Sequence, residues 1–479
     1  MVMFDVPGGM SPIKTNNGGA HILSKRAASI AERIQGSDAV HVVTHIDADG
    51  ITAGAIAVHT LQQMEKDYSI DFIKQLDSKV VQRLIGEDHE LVWFTDLGSS
   101  IVESQTSLPM VVTDHHSCGD GSDLPIHLNP HLFGLDGGFQ LSGAGATYLV
   151  ATSVDTQNQS LAGLAIVGAC GDLQDRKHRR LTGVNEQIVI EGEQAGVLAR
   201  QLDISYFGRE TRPIHKMLQY ANDPIIPGIT GREQAALRFL DECNIIIKDG
   251  EDWRRWFHLS KRERTIILSA LANRLLSKGF GHQTTMRLLS ETYLLIKEEE
   301  GSELHDSKEF ATLLNSTARY GQYDVGLAVC LGDRGAALKK ARSLLRGHRK
   351  NLVEGLQYAK EEGITQGHYV QYFHANMGIR DTIIGIVTNM LLNDDDIRAD
   401  LPLIGFADKN KNEVKASARA SQMLVDKGLD LSKALTHAAH QVDGSGGGHN
   451  IAAGATIPKG KELEFLKIVE QEVKKQLAQ

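Results

Sequence analysis

The stretch Val42-Val43-Thr44-His45-Ile46-Asp47-Ala48-Asp49-Gly50 decides how the rest of the chain reads. An apolar run leads into three side chains of metal-ligand type at alternate positions. Side chains at i, i+2 and i+4 of an extended segment share a face, so His45, Asp47 and Asp49 are expected to converge on one spot. Gly50 is expected to turn the chain into a helix beginning at residue 51. A strand that ends in carboxylates and feeds a helix N-terminus suits cations and phosphate together. Taken alone, the stretch reads more simply as a polar Asp/Gly turn, so the weight falls on what the neighbouring segments supply.

Working outward, apolar runs over 40–44, 70–73, 91–95 and 110–113 alternate with helical spacing over 51–64 and 80–84. A further helix is predicted over 21–35, with Ile22, Ala27, Ile30 and Ile34 on one side. Short apolar strands separated by helices are the pattern of a parallel sheet covered on both faces. Ligands in such sheets gather at the carboxyl ends of the strands, so reactive side chains are expected there. The run 91–95 ends in Asp96, and the run 110–113 ends in Asp114-His115-His116. Asp172 follows the apolar segment 161–170 and is expected to arrive at a neighbouring strand end.

A chain of 479 residues exceeds what one core usually supports, which predicts two or three domains. With 41% hydrophobic and 23% charged residues, the membrane and disordered classes are set aside. A net charge of -9 excludes a uniformly basic surface but leaves room for a local basic groove. Cys118, Cys170, Cys243 and Cys330 form no Cys-x-x-Cys pair, which points to free thiols in a reducing compartment. The start of the chain has Gly, Asn and Pro where a signal peptide needs an apolar core, and the segment 161–170 is too short to span a bilayer. The expectation is a soluble, cytoplasmic protein with no membrane partner. Carboxylates and imidazoles with no Cys favour Mn²⁺ or Mg²⁺ over a structural zinc, and so many acids favour two ions over one.

Thr44-His45-Ile46-Asp47-Ala48-Asp49-Gly50, Asp96, Asp114-His115-His116 and Gly171-Asp172 resemble, in order and spacing, the four motifs of the DHH phosphoesterase superfamily. The tail Gly446-Gly447-Gly448-His449-Asn450-Ile451-Ala452-Ala453-Gly454 resembles the glycine-rich motif of that superfamily's DHH-associated domain. Among its branches the chain is most similar to the archaeal RecJ-like exonucleases. The resemblance implies one ion on His45, Asp47 and Asp96 and a second on Asp49, Asp96, His115 and Asp172, with Asp96 as the bridge. It also implies that His116 lies at the scissile phosphate and that Asp114 orients the histidines.

The fold class expected is α/β, with a parallel-sheet DHH catalytic domain over 1–200, a helical insert over 201–350 and a smaller mixed α/β DHH-associated domain over 351–479. Helices are predicted over 232–243, 262–276 and 336–349 within the insert, and by position the insert is where a GINS-type replication partner would dock. The basic clusters Arg176-Lys177-His178-Arg179-Arg180 and Lys339 to Lys350 read as solvated faces or as phosphate contacts along a single strand. Trp253, Trp256 and Phe257 read as core packing, with base stacking as the alternative. In the tail, strands are predicted over 369–375, 402–408 and 413–419 and a helix over 379–392. Gly446, Gly447 and Gly448 are expected to offer backbone N–H groups to a phosphate, with His449, Arg419 and Arg380 adding positive charge. The activity implied is metal-dependent hydrolysis of single-stranded DNA or RNA from an end, 5′ to 3′ on DNA, in replication or repair. The competing readings are a nanoRNase or phosphoadenosine phosphatase type of small-substrate enzyme, and a replication-complex scaffold.

Overall fold

The computed structural model describes residues 17–102, 107–119, 123–392, 394 and 397–477. The frayed start expected before residue 21 lies outside the described residues up to position 16. The chain divides into two compact units, residues 1–342 and 343–479.

The first unit opens with α1 (Asn17–Gln35), β1 (Ala39–His45), α2 (Ala48–Gln63), β2 (Asp67–Ile73), α3 (Ser78–Gly86), β3 (Val92–Thr95), α4 (Ser99–Val102), β4 (Met110–Thr113) and β5 (His127–Leu128). The strands form a five-stranded sheet in the order β2-β1-β3-β4-β5, and every pairing is parallel. Val43, Leu84, Val92, Phe94 and Val112 fill the core on the α3 face. On the other face α2 packs against β1, and α5 (Gly143–Val154) and α6 (Ala162–Gly171) pack on α2. Helix α2 is buried on nearly all sides, which is why small and apolar residues fill most of its positions rather than a single stripe. In α1 the buried side chains include Leu23, Ala27, Ile30, Ala31 and Ile34, and Ile22 is exposed. The step from 22 to 27 breaks helical spacing, whereas 23, 27, 30 and 34 keep it.

Beyond α7 (Val184–Gln194) the strand β6 (Leu198–Ile204) leads into α8 (Ile214–Gln219), α9 (Glu233–Glu242), the ribbon β7 (Lys248–Asp249) and β8 (Asp252–Trp253), α10 (Lys261–Ser277), α11 (His282–Met286) and β9 (Leu289–Leu295). This region is helical with two short ribbons, since β6 pairs antiparallel with β9 and β7 with β8. Its own core includes Ile204, Met217, Leu240, Trp256, Ile267 and Leu271. Trp256 is buried and its Nε1 donates to Asp203, so it belongs to packing, while Trp253 is partly exposed with Lys248 over its ring. The chain then returns to the sheet region through α12 (Ser307–Arg319) on α6 and α13 (Tyr323–Cys330) on α2.

Helix α14 (Ala336–Glu362) is longer than the 336–349 predicted and runs into the second unit. There follow β10 (Thr365–Gln366), β11 (Gln371–His374), α15 (Ile384–Leu392), β12 (Leu403–Asp408), β13 (Glu413–Arg419), α16 (Gln422–Asp426), α17 (Leu431–Gln441), β14 (Ser445–Gly448), β15 (Ala452–Pro458) and α18 (Glu462–Leu477). The six strands run in the order β10-β11-β12-β13-β15-β14, with only β11 and β12 parallel to each other. Phe373, Ile384, Val387 and Leu403 form the core on one face, and Phe406, Leu435, Ala438 and Val469 on the other. Each fully buried Leu or Phe of this kind contributes about 2 kcal/mol. Helix α15 begins at Ile384 rather than 379, because residues 380–383 close a turn in which Ile383 and Ile384 donate to the Arg380 carbonyl. Among the described residues no helix is long and apolar enough to cross a membrane.

Candidate metal centre

Extended backbone stops sooner than alternate spacing suggested. Asp47 is the N-cap of α2 and accepts from the Gly50 N–H at 3.1 Å, so Asp49 lies in the first helical turn. The unpaired N–H groups of a helix start recruit an Asp cap, and that bends the motif here. The three side chains are therefore not on one strand face, and His45 and Asp47 part company with Asp49. Gly50 is not the turn either. A Cβ there would sit 2.3 Å from the His45 carbonyl oxygen, so the residue is small because the first turn packs onto the strand end.

Asp49 is fully buried, and its carboxylate accepts from Gly143 N at 2.7 Å and Ala144 N at 3.0 Å. These are the first N–H groups of α5, whose positive end suits an anion. Asp96 follows β3 with φ of 58°, a left-handed conformation that is costly for a residue with a side chain and that clusters at functional sites. Asp114, His115 and His116 follow β4 as expected. Asp172 does not come from a strand end: it is the C-cap of α6, brought in because that helix packs beside α2 and α5.

Three overlapping groups of ligand atoms result, His45 with Asp47 and Asp96, Asp49 with His115 and Asp172, and Asp96 with His115 and His116. His45 Nδ1 lies 2.9 Å from Asp47 Oδ2 and 3.6 Å from Asp96 Oδ2. His115 Nε2 lies 3.2 Å from Asp96 Oδ1, 3.2 Å from Asp172 Oδ2 and 3.7 Å from Asp49 Oδ2. The two oxygens of Asp96 are thus divided between the groups. His45 Nδ1, Asp96 Oδ1 and His115 Nε2 are buried yet lack an aligned hydrogen-bond partner among the described residues. Such atoms are costly to bury unless something else satisfies them.

Proton affinities carry the same message. Burial opposes charge on His45 and His115, yet the Asp47 and Asp96 carboxylates raise His45 to about 11, and Asp172 and Asp96 raise His115 well above the ordinary range. Asp49 and Asp172 are raised, first by burial and then by neighbouring carboxylates, whereas the two imidazoles hold Asp96 low against its burial. The cluster has more buried negative charge than its histidines balance, and divalent cations answer that excess. Hard oxygen donors, imidazoles and no thiol form a donor set that fits Mn²⁺ or Mg²⁺.

The supporting contacts orient each imidazole. His115 Nδ1 donates to the Gly137 carbonyl at 2.8 Å, which turns Nε2 towards the acids. Gln174 donates to the same carbonyl and is itself held by Asn185. Asp114 is buried and accepts from Ser99 N at 3.0 Å, His115 N at 2.7 Å and His116 Nδ1 at 2.8 Å. Burial pushes Asp114 up, but the bond from His116 and the nearby imidazolium charge hold it well below the carboxylate range and raise His116 in turn. The His116 side chain is 56% exposed, and one of its ring nitrogens lies within 4.8 Å of ligand atoms of Asp96 and His115.

Several residues of this centre escaped the sequence reading. Ser142, Gly143 and Ala144 build the helix start that holds Asp49, and a Cβ on Gly143 would lie 2.3 Å from Asp96 Oδ1. The signal was a serine followed by small residues, an N-cap pattern. From α12, Asn315 Oδ1 accepts from Ala48 N at 3.1 Å, and the half-buried Arg319 feels the charge of Asp47. Their spacing of four places both on one helix face, which gave no hint of where that face points. In the basic stretch, Arg179 pairs with Asp223 and Lys177 lies over Phe139, while Arg176, Lys177 and His178 stay exposed.

The tail residues lie in the second unit. Gly446, Gly447 and Gly448 belong to β14, an edge strand rather than a loop, and the exposed His449 sits in the turn joining it to β15. Arg419 ends β13 opposite Ala452, beside Gly448 opposite Ala453, which gathers them at one end of the sheet. A Cβ on Gly385 would come within 2.6 Å of the Arg419 guanidinium, so that side chain reaches the start of α15, just beyond the exposed Arg380.

The DHH-CID domain family matches residues 206–289, and the DHHA1 domain family matches 369–475. An uncharacterized protein of Methanocaldococcus jannaschii is 30% identical over 447 residues, which is 91% of this chain and 94% of that protein. RecJ from Thermus thermophilus in complex with Mn²⁺ is 17% identical with a TM-score of 0.57, covering 98% of this chain and 56% of RecJ, so the chain spans just over half of that protein. CDC45 from Entamoeba histolytica is 11% identical with a TM-score of 0.61, covering 95% and 99% of the two chains. With both domain families in place, and the motif residues gathered beside a parallel sheet of RecJ-like fold, the chain belongs to the DHH phosphoesterase superfamily.

Proposed function

We propose that the protein is a two-metal phosphodiesterase that degrades single-stranded DNA or RNA from an end, 5′ to 3′ on DNA. The observation that carries this reading is the division of the Asp96 carboxylate, one oxygen towards His45 and the other towards His115. His45, Asp47 and Asp96 would hold one ion, and Asp49, Asp96, His115 and Asp172 the other. A pair of Mn²⁺ or Mg²⁺ ions supplies an activated water and neutralises charge on a phosphoryl group under in-line displacement. The protein contributes the rest. His116, protonated through the bond of its Nδ1 to Asp114, would donate the proton of its other ring nitrogen to the oxygen that leaves phosphorus as the water oxygen bonds to phosphorus. Arg176 and Lys177 offer charge to the strand beside Asp172.

The glycine edge of β14, with Arg419, Arg380 and His449, is the proposed second grip on the substrate backbone. The region 201–350 is the proposed docking region for a GINS-type replication partner, and the cytoplasm is the proposed compartment. End-labelled single-stranded DNA and RNA, labelled at either end and incubated with Mn²⁺ or Mg²⁺, test the activity and its direction. Asp96→Ala should lower the rate by roughly a thousandfold or more, about 4 kcal/mol of transition-state stabilisation, with the circular dichroism spectrum unchanged. An active Asp96→Ala protein would sink the bridging assignment. Hydrolysis confined to dinucleotides would shift the reading to a small-substrate phosphodiesterase, and a wild-type protein inert with either metal would shift it to a scaffold.

A further inference from the structure

At the other end of β1 from the proposed catalytic ions, a second group of ligand-type side chains meets. His41 precedes His45 by four residues, about 13 Å of extended strand. His41, Glu87 and His89 present ligand atoms within 4.8 Å of one another. Asp71, from the edge strand β2, places Oδ2 3.7 Å from His41 Nε2, and Glu87 places Oε2 2.9 Å from His89 Nε2. His41 is 7% exposed, and its Nε2 is buried without an aligned hydrogen-bond partner among the described residues. A cavity of about 210 Å³ opens beside it, bordered by Tyr68, Ser69 and His89.

We propose that His41, His89, Glu87 and Asp71 form a second metal site, for a borderline cation of the Zn²⁺ type, that clips the edge strand β2 to β1 and to the segment between α3 and β3. The donors are two imidazoles and two carboxylates, a set that suits tetrahedral Zn²⁺ better than the oxygen-rich catalytic cluster does. Ser69 Oγ lies 2.7 Å from His41 Nδ1 and accepts its proton, which leaves the Nε2 lone pair free. Arg83 lies against both carboxylates, with Nη2 2.6 Å from Asp71 Oδ2 and Nη1 2.9 Å from Glu87 Oε1 and 3.2 Å from its Oε2, so an ion bound here shares both acids with the guanidinium. The rings of His41 and His89 are stacked at 4.1 Å with planes 1° apart. An ion bound by both therefore requires His89, the less buried of the two, to turn and give up its bond to Glu87. The site stands on its own geometry and does not depend on the phosphodiesterase reading.

The test uses the full chain carrying Asp96→Ala, stripped of metal with a chelator, so that the shared carboxylate is gone and any zinc still held by Asp49, His115 and Asp172 is common to the proteins compared. Zn²⁺ titrated against a chromophoric chelator should show one more tight equivalent in this protein than in the same protein with His89→Ala. Glu87→Gln, at an exposed position, should weaken that equivalent at least roughly tenfold. Zn²⁺ should also raise the Tm of the Asp96→Ala protein, and raise it less once His89 is replaced, because a ligand of the folded state stabilises it. Equal zinc stoichiometry and equal Tm response with and without His89 overturn the proposal, as does failure of the Asp96→Ala protein to bind tight zinc at all.

Discussion

His45, Asp47, Asp49, Asp96, His115 and Asp172 are held inside the first unit by helix ends and buried hydrogen bonds, whereas Gly446, Gly447, Gly448 and His449 offer a strand edge and an exposed turn in the second. The first arrangement concentrates charge where water is scarce, so small shifts in position matter and every supporting contact counts. The second removes side chains so that backbone can meet a ligand, and depends on what is absent. A substitution should therefore act through geometry in the first region and through access in the second.

Gly143→Ala tests the geometric side and should have the largest effect. The added Cβ meets Asp96 Oδ1 at 2.3 Å, at a carboxylate already pinned in a left-handed backbone. Displacing that oxygen should lower kcat roughly a hundredfold, about 3 kcal/mol, and weaken Mn²⁺ binding in parallel. If kcat fell while Mn²⁺ affinity measured by calorimetry stayed put, the helix start would not be positioning Asp96.

This difference also explains what the sequence could reveal. Side-chain chemistry leaves letters, so all of the residues named for the two ions are brought together in the structure, with His116 and Asp114 beside them. The path by which they meet was less legible. Alternation along 45–49 suggested a common face, and only the capping bond from Gly50 to Asp47 shows that the helix starts early enough to send Asp49 to the other group. Asp172 was assigned to a strand end because an apolar run of ten residues does not distinguish a buried strand from a buried helix. Asn315 and Arg319 are distant in sequence from every motif, and their approach depends on how α12 packs, which periodicity does not encode. Glycine runs have the opposite defect. They declare that side chains are unwanted, but not whether the backbone is loop or strand, and here it is strand.

On the access side, Gly447 and Gly446 separate binding from folding. A Cβ on Gly447 meets nothing within 4 Å, whereas one on Gly446 lies 2.9 Å from the Leu435 carbonyl oxygen. Gly447→Ala should raise KM for oligonucleotides about tenfold, roughly 1.4 kcal/mol, with kcat and Tm unchanged. Gly446→Ala should lower Tm instead. Exposed His449 should give a smaller effect, with His449→Ala raising KM by about threefold, roughly 0.7 kcal/mol, and leaving Mn²⁺ affinity alone. Unchanged KM in both Gly447→Ala and His449→Ala would remove the strand edge from the substrate path.

The last comparison concerns protons, and there the two units should respond with opposite sign. In the metal-free protein His45 is raised to about 11, its burial outweighed by Asp47 and Asp96, so its contribution to stability is full below the unfolded value of about 6.5 and is lost as pH climbs through the folded value. His374 of β11 is shifted the other way, lowered by burial against the ring of Phe406, on which it stacks at 4.8 Å. Its contribution is present above about 6.5 and is lost as pH falls towards the folded value. Unfolding of chelator-treated protein in urea, followed from about pH 5 to about pH 9, should therefore show His45→Gln diverging most from wild type at the acid end. His374→Gln should diverge most at the alkaline end. Parallel pH slopes for the two variants would show that buried charge in the first unit and buried neutrality in the second are not the environments that distinguish these histidines.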